Sequence, residues 1–296
     1  MALPSTKQLR YFVALTETEH FGRAADASNI SQSAFSNAIR ELELTLDAQL
    51  VDRTNRQVTI TATGQQVATM ARLVLQDLQE LVETASGGRQ PLCGELRLGV
   101  IPTIAPFLLP KVLPKLRRKY PELRLLLTED QTDRVYRRLK DGELDVLLLA
   151  LPWPMRGVEQ RVLFRDPFRL ACRKGTERVD PDNYRFNRLD ADSILLLEDG
   201  HCLRDHALAA CKIRNTQKVQ DFAASSLLTL VEMVDADLGI TFLPEMARNS
   251  TLLRNTHVEL YPMPDSSYRN IGLAWRQGSG RADEFEMLGD FLEHNR

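Results

Sequence analysis

The apolar residues of this chain change period near residue 90, and that change sets the fold class. From Glu95 onward, short apolar runs (Leu96 to Ile101, Leu123 to Thr128, Asp145 to Ala150) alternate with amphipathic stretches (Phe107 to Tyr120, Thr132 to Lys140). The runs read as strands and the stretches as helices. A second series follows: strands at Phe168 to Arg173, Ser193 to Leu197, Val219 to Phe222, Gly239 to Leu243 and Ile271 to Trp275, with helices at Ser226 to Val234 and near Asp283 to His294. Alternation of this kind predicts open, largely parallel sheets, with ligands bound beyond the carboxyl ends of strands. Thr103 and Thr132 each follow a strand and are expected to face such a crevice.

Before residue 90 the period is helical except at one short strand. Ser5 is placed to cap a helix carrying Leu9, Tyr11, Phe12, Val13 and Leu15, and a short helix runs from Phe21 to Ser28. The turn Asn29-Ile30-Ser31 leads into a third helix, Gln32 to Glu43, whose Phe35, Ala38, Ile39 and Leu42 form the packed stripe. Gln32, Ser33, Ser36, Asn37 and Arg40 fall on its other side, where they can bond base edges or phosphates in a major groove. Arg53 and Arg56, beside a strand at Gln57 to Ile60, suit a wing that grips phosphates. The pattern predicts a winged helix-turn-helix over residues 1–60. Charge does not support it independently, because residues 1–60 carry six cations against seven anions.

Residues 61–86 repeat Val67, Ala71, Val74, Leu78, Leu81 and Ala85 at steps of four and three, which keeps one seam facing a partner helix. About 26 residues of helix span about 39 Å. Ser86-Gly87-Gly88-Arg89-Gln90-Pro91 then breaks the helix. The expected organisation is a DNA-binding module at 1–60, a dimerisation helix and hinge at 61–91, and an α/β regulatory domain at 92–296. Its two lobes are expected near 92–165 with 270–296, and near 166–269.

A net charge of −2 gives no global basic field. There is no cationic segment leading into an apolar one at the N-terminus and no apolar run near the length of a spanning helix, so a cytoplasmic protein without a membrane partner is expected. In a reducing compartment, a disulfide is more often a transient sensor than a strut.

Two of the four cysteines lie in Gly200 to Cys211. If a helix runs from 203 to 213, Cys202 and Cys211 sit on opposite faces about 13 Å apart along the axis, whereas a disulfide tolerates about 4.4 to 6.8 Å between Cα atoms. The pair can bridge only by refolding, which is the physics of a switch. Cys202 is expected at the helix start, with Arg204, His201 and His206 nearby, so its thiolate should form easily. Attack on hydrogen peroxide would give a sulfenic acid that Cys211 is placed to resolve. Two other readings stand beside this one: Cys211 as a small buried apolar residue, and a zinc site from His201, Cys202, His206 and Cys211, which lack the usual ligand pairing.

Phe21 to Ser36, Gly99 to Pro106, and above all Leu197 to Asp205 with Cys211 at the matching spacing carry a resemblance. The chain is similar to the LysR-type transcriptional regulators over nearly its whole length, and within them to the OxyR group of peroxide sensors. The resemblance implies a winged helix-turn-helix dimer module, a two-lobed regulatory half like periplasmic binding proteins, and a homotetramer built as a dimer of dimers. It also implies an activator of antioxidant genes acting with double-stranded DNA, RNA polymerase, hydrogen peroxide and a thiol reductant such as a glutaredoxin system. No enzyme activity, metal or cofactor is implied. Cys202 resembles the peroxide-reactive cysteine and Cys211 the resolving one, while Thr103, Thr132, His201, Asp205 and Arg269 match residues lining the peroxide pocket.

Three positions depart from the family pattern. Ser33 stands where proline is frequent, Asp47 where glycine is frequent, and Asp237 where glycine is usual. Cys93 and Cys172 receive no redox role. The alternatives are a regulator of the same fold with a small organic effector in the cleft between lobes, and a thiol peroxidase, which residues 1–60 argue against.

Overall fold

The computed structural model describes residues 3–296 apart from 54–57, 86–89, 182, 185–188, 190–192, 211–218 and 220–223, and apart from the side chains of 53, 83 and 84. Cys211 and Arg56 therefore lie outside the described residues, as does most of the strand expected at Val219 to Phe222; of Arg53 only the backbone is described. The chain forms two compact units, Met1–Gln90 with Lys140–Glu143, and Pro91–Leu139 with Leu144–Arg296.

The first unit begins with α1 (Thr6–Thr18), α2 (Phe21–Ala27) and α3 (Gln32–Leu46). Ser5 and Gln8 close a reciprocal capping box on α1, and the Ser31 hydroxyl accepts from the Ala34 amide to start α3. Phe12, Leu15, Phe35, Ile39 and Leu42 are fully buried together. The opposite side of α3 exposes Gln32, Ser33, Asn37 and Arg40, with Ser36 half-buried. Asp47 ends α3 in the left-handed region at φ 49°. Glu43 then accepts from the amides of Leu50 and Val51 at 2.9 and 3.1 Å, tying the helix to the wing. The wing is an antiparallel pair, β1 (Val51–Arg53) and β2 (Val58–Ile60). From it rises α4 (Ala62–Ala85), which buries Ala68 and Ala71 and exposes Val74, Leu78 and Leu81.

The second unit holds a seven-stranded mixed sheet in the order β4-β3-β5-β9-β6-β7, with β8 also pairing β6. Its strands are β3 (Gly94–Val100), β4 (Leu123–Glu129), β5 (Val146–Leu151), β6 (Val158–Arg173), β7 (Thr241–Pro244), β8 (Val258–Tyr261) and β9 (Tyr268–Arg276). Its helices are α5 (Ala105–Lys119), α6 (Thr132–Lys140), α7 (Cys202–Ala210), α8 (Leu227–Asp235) and α9 (Ala282–Asn295).

The expectation of a largely parallel sheet is corrected. Only β3 pairs in parallel, with β4 and β5, among these strands; β9 runs antiparallel to β5 and β6, and β6 antiparallel to β7 and β8. The reason is the chain path. β6 leads out of one apolar cluster, centred on Leu147, Trp275 and Phe285, into a second centred on Phe168, Val231 and Phe242, and β9 returns. An outgoing and a returning strand side by side must be antiparallel. The first ten residues of β6 escaped the sequence reading because Glu159, Arg161, Arg165 and Pro167 blur its alternation. The run Ser193 to Leu197 contributes isolated parallel bridges, Ile194 to Val219 and to Ile240, and Leu197 to Ala224.

Candidate functional site

Cys202 is the first residue of α7, and the helix begins in the interior. The turn before it depends on Gly200, at φ +96°, where a Cβ would come within 2.8 Å of the Gln131 side chain. The Cys202 side chain belongs to the first apolar cluster, whereas Leu203 and Ala207 of the same helix belong to the second. α7 is thus shared between two cores.

Four elements meet at the thiol. Thr132 at the start of α6, Ala150 near the end of β5 and Arg269 of β9 all act on it, and Asp205 acts from α7 itself. The expectation of an easily formed thiolate is corrected: with 1 % of its surface exposed, Cys202 is pushed up from the ordinary thiol value by burial. The Thr132 hydroxyl, the Arg269 charge and the Ala150 backbone act against that rise, and Asp205 adds to it. The cations named from sequence do not supply the offset. Arg204 pairs instead with Asp199 at 3.3 Å and with the Leu197 carbonyl. His201 and His206 are both held below the ordinary histidine value by burial, and so are neutral near pH 7.

Arg269 is fully buried. Its Nε donates to Asp166 Oδ2 at 3.0 Å, Nη1 to Thr103 Oγ1 at 2.8 Å and Nη2 to the Thr103 carbonyl at 2.8 Å. Asp166 accepts in addition from the Met246 amide at 3.2 Å. Burial raises the Asp166 carboxyl, and Arg269 and that amide oppose the rise. Asp166 was not legible as a site residue, because it lies in the part of β6 that the hydrophobic pattern did not reveal. An Asp-Pro pair amid charged residues was its only sequence signal.

His201 is 6 % exposed and lies against Gln131, with Nε2 to Nε2 at 3.3 Å; the Gln131 amide also donates to Glu198 Oε1 at 3.2 Å. Thr132 Oγ1 is buried with no well-formed hydrogen bond among the described residues, which leaves its proton available to an acceptor at the sulfur. Asp205 is exposed, and its side chain forms no hydrogen bond among the described residues, so it acts on the site only through its charge. The structure thus brings together Cys202, Thr132, Arg269 and Thr103, sets His201 beside Gln131, and leaves Asp205 at the rim. A pocket of about 350 Å³ opens beside Thr103 and His201, with Phe107, Ser225, Ser226 and Leu227 among its lining. No group of three His, Cys, Asp or Glu side chains able to hold a metal occurs among the described residues.

The other cysteines have different surroundings. Cys172 is buried in β6 and its thiol is pushed up to about 11, by burial first and then by Glu259 and Asp237. Cys93 is half-buried and donates to Glu122 at 3.1 Å.

Two family profiles cover the chain: the bacterial regulatory helix-turn-helix of the lysR family over residues 6–65, and the LysR substrate binding domain over residues 89–296. The chain belongs to the LysR family of transcription regulators. Within that family it is 40 % identical to the HTH-type transcriptional regulator EstR of Acinetobacter baylyi, over 99 % of this chain and 97 % of that one. It is 37 % identical to the hydrogen peroxide-inducible genes activator of Dickeya chrysanthemi, over 98 % and 95 %. A solved full-length OxyR variant from Pseudomonas aeruginosa matches with a TM-score of 0.81 and 31 % identity, covering 99 % of this chain and 95 % of that one. No helix among the described residues is long and apolar enough to cross a membrane.

Proposed function

We propose that this family member senses hydrogen peroxide by reversible Cys202–Cys211 disulfide formation and controls antioxidant genes through DNA bound by α3 and the wing. The observation that carries this reading is the buried Cys202 thiol at the first turn of α7, met by Thr132, Ala150 and the Arg269 to Thr103 pair. The relative from Dickeya chrysanthemi bears a peroxide-response name, which supports the same reading.

The chemistry follows from that setting. Cys202 sulfur attacks one peroxide oxygen, the O–O bond breaks, and the thiol proton leaves with the second oxygen as water. The Cys211 thiol then attacks the sulfenic sulfur, releasing a second water and forming the S–S bond. α7 holds Cys202 to Ala210 about 12 Å apart along its axis, and Cys211 is bonded to Ala210, so bridging requires α7 to unwind. Because α7 contributes Cys202 to one apolar cluster and Leu203 and Ala207 to the other, unwinding it repacks both. A dimer of dimers contacting RNA polymerase, and reset by a glutaredoxin-type thiol reductant, completes the reading.

The test is a disulfide map and a promoter footprint before and after equimolar peroxide, in wild type and Cys202→Ser. A Cys202–Cys211 bridge with an altered footprint, both lost in the variant, is expected. The pocket beside Thr103 and His201 favours a second reading, a small organic effector, as does the EstR relative, whose name carries no peroxide. A response that survives Cys202→Ser would select it.

A further inference from the structure

Phe107 lies in α5, yet its ring packs in the second apolar cluster, while its helix neighbours Ala105, Leu108 and Leu109 pack in the first. It crosses between the clusters at the wall of the pocket of about 350 Å³. Pro106, Leu197, Leu227, Leu228 and Leu252 make much of the rest of that wall apolar. Leu228 is 59 % exposed, so an apolar side chain lining the pocket is left facing water. At about 30 Å³ per water, a hydrogen peroxide molecule needs only about 60 Å³. The space is several times larger than peroxide alone would fill.

Charge narrows the occupant. Among the described lining residues Glu129 is the one charged side chain, and it is exposed. His201 is held neutral by burial. Arg269, the guanidinium behind Thr103, has no exposed side-chain surface and is already taken by Asp166 and both Thr103 oxygens. An anion entering this pocket would lose its water with no cation to replace it, and would meet Glu129. A cation would gain only an exposed carboxylate, screened by solvent. What the wall offers a polar group is hydroxyls. Ser226 and Ser250 are engaged, with the Thr229 amide and the Ala247 carbonyl. Ser225 and Thr251 are exposed and their side chains form no hydrogen bond among the described residues, so each can serve a ligand oxygen.

We propose that this pocket binds a small uncharged organic molecule with an apolar body and an ester, carbonyl or hydroxyl oxygen, and that it discriminates against carboxylates. The body lies against Phe107, Leu227 and Leu252, and the oxygen meets the hydroxyl of Ser225 or Thr251. This rests on the second reading above, in which an organic effector occupies the pocket, and it holds whether or not Cys202 reacts with peroxide. Phe107 joins the two apolar clusters that α7 also shares, so a ligand seated on that ring touches the junction that unwinding of α7 would repack.

The experiment titrates the full-length protein calorimetrically with methyl benzoate, benzoate and benzylammonium, three probes of similar size that are neutral, anionic and cationic. Methyl benzoate is expected to bind with a Kd below about 1 mM, at least about tenfold tighter than either ion. Leu228→Lys, at an exposed position, sets a cation on the wall and is expected to invert the order of methyl benzoate and benzoate. Thr251→Lys is the second variant, with the same inversion expected should Leu228→Lys fail to fold. An order unchanged by the introduced lysine places the binding elsewhere and overturns the proposal, as does a wild type that binds no methyl benzoate. Benzoate or benzylammonium bound as tightly as methyl benzoate overturns the uncharged class and leaves the effector reading standing. Methyl benzoate bound with an unchanged promoter footprint has the opposite meaning: the effector reading fails and the ligand class stands.

Discussion

At the residue scale, the site is governed by the cost of burying charge. Arg269 has no exposed surface and is compensated by Asp166 and Thr103. Removing one member of such a pair leaves the other uncompensated, typically costing about 3 to 5 kcal/mol. Arg269→Met is therefore expected to destabilise the second unit by that amount in urea unfolding, with much of the loss recovered in Arg269→Met/Asp166→Leu. Equal losses in the single and double variants would show that the arginine contributes through packing alone. The Cys202 thiol obeys the same rule. Because its folded value lies above the ordinary one, the thiolate appears only as pH rises, so its alkylation rate should climb from neutral into alkaline pH later than that of a free thiol. Thr132→Val removes one of the groups that offset burial and should shift that climb higher still. The buried His201 and half-buried His206 carry the opposite sign. Their folded values lie below the unfolded value, so the stability they confer is present above about pH 6.5 and lost as pH falls toward the folded values. A thermal unfolding series from neutral to mildly acid pH should decline, and decline less in His201→Gln/His206→Gln.

At the element scale, local chemistry explains where segments start and stop. Ser5, Ser31 and Ser226 cap α1, α3 and α8, since a hydroxyl before an amphipathic run satisfies amides that the helix cannot; of the three, only Ser5 was read as a cap from the sequence. Asp47 and Asp237 are the informative departures. Both occupy the left-handed region, at φ 49° and 58°, where glycine would sit without strain. Asp237 gains an offset, since its carboxylate accepts from Thr176 at 2.7 Å. Asp47 has no such bond among the described residues. Asp47→Gly should therefore stabilise the first unit by about 0.5 to 1 kcal/mol, the relief of strain exceeding the added chain entropy. A lowered unfolding midpoint would instead assign the carboxylate a stabilising role. The α4 helix poses the other question at this scale: its Val74, Leu78 and Leu81 are exposed at seam spacing. As expected for a dimerisation seam, Leu78→Glu/Leu81→Glu should lower the assembly state in sedimentation while leaving the fold of each unit intact.

At the scale of the whole molecule, the division into a helix-turn-helix and an α/β unit was written in the hydrophobic period, because period reports which face each segment buries before any tertiary contact exists. The exposed polar face of α3 was legible for the same reason. Cys202, Thr103, Thr132, His201 and Arg269 were named from sequence through the family resemblance, and the fold brings Cys202, Thr132, Thr103 and Arg269 together. What the sequence did not reveal depends on distance. Whether β6 runs parallel or antiparallel is decided by where the chain goes after it, and the N-terminal half of that strand carries too many charges to announce itself. The Asp166 to Arg269 pair joins residues 103 apart in sequence. Above all, a helix start favours a thiolate when it faces water, and the sequence put Cys202 at a helix start. Only the tertiary structure set that start inside an apolar core, where burial outweighs the Arg269 charge and raises the thiol instead.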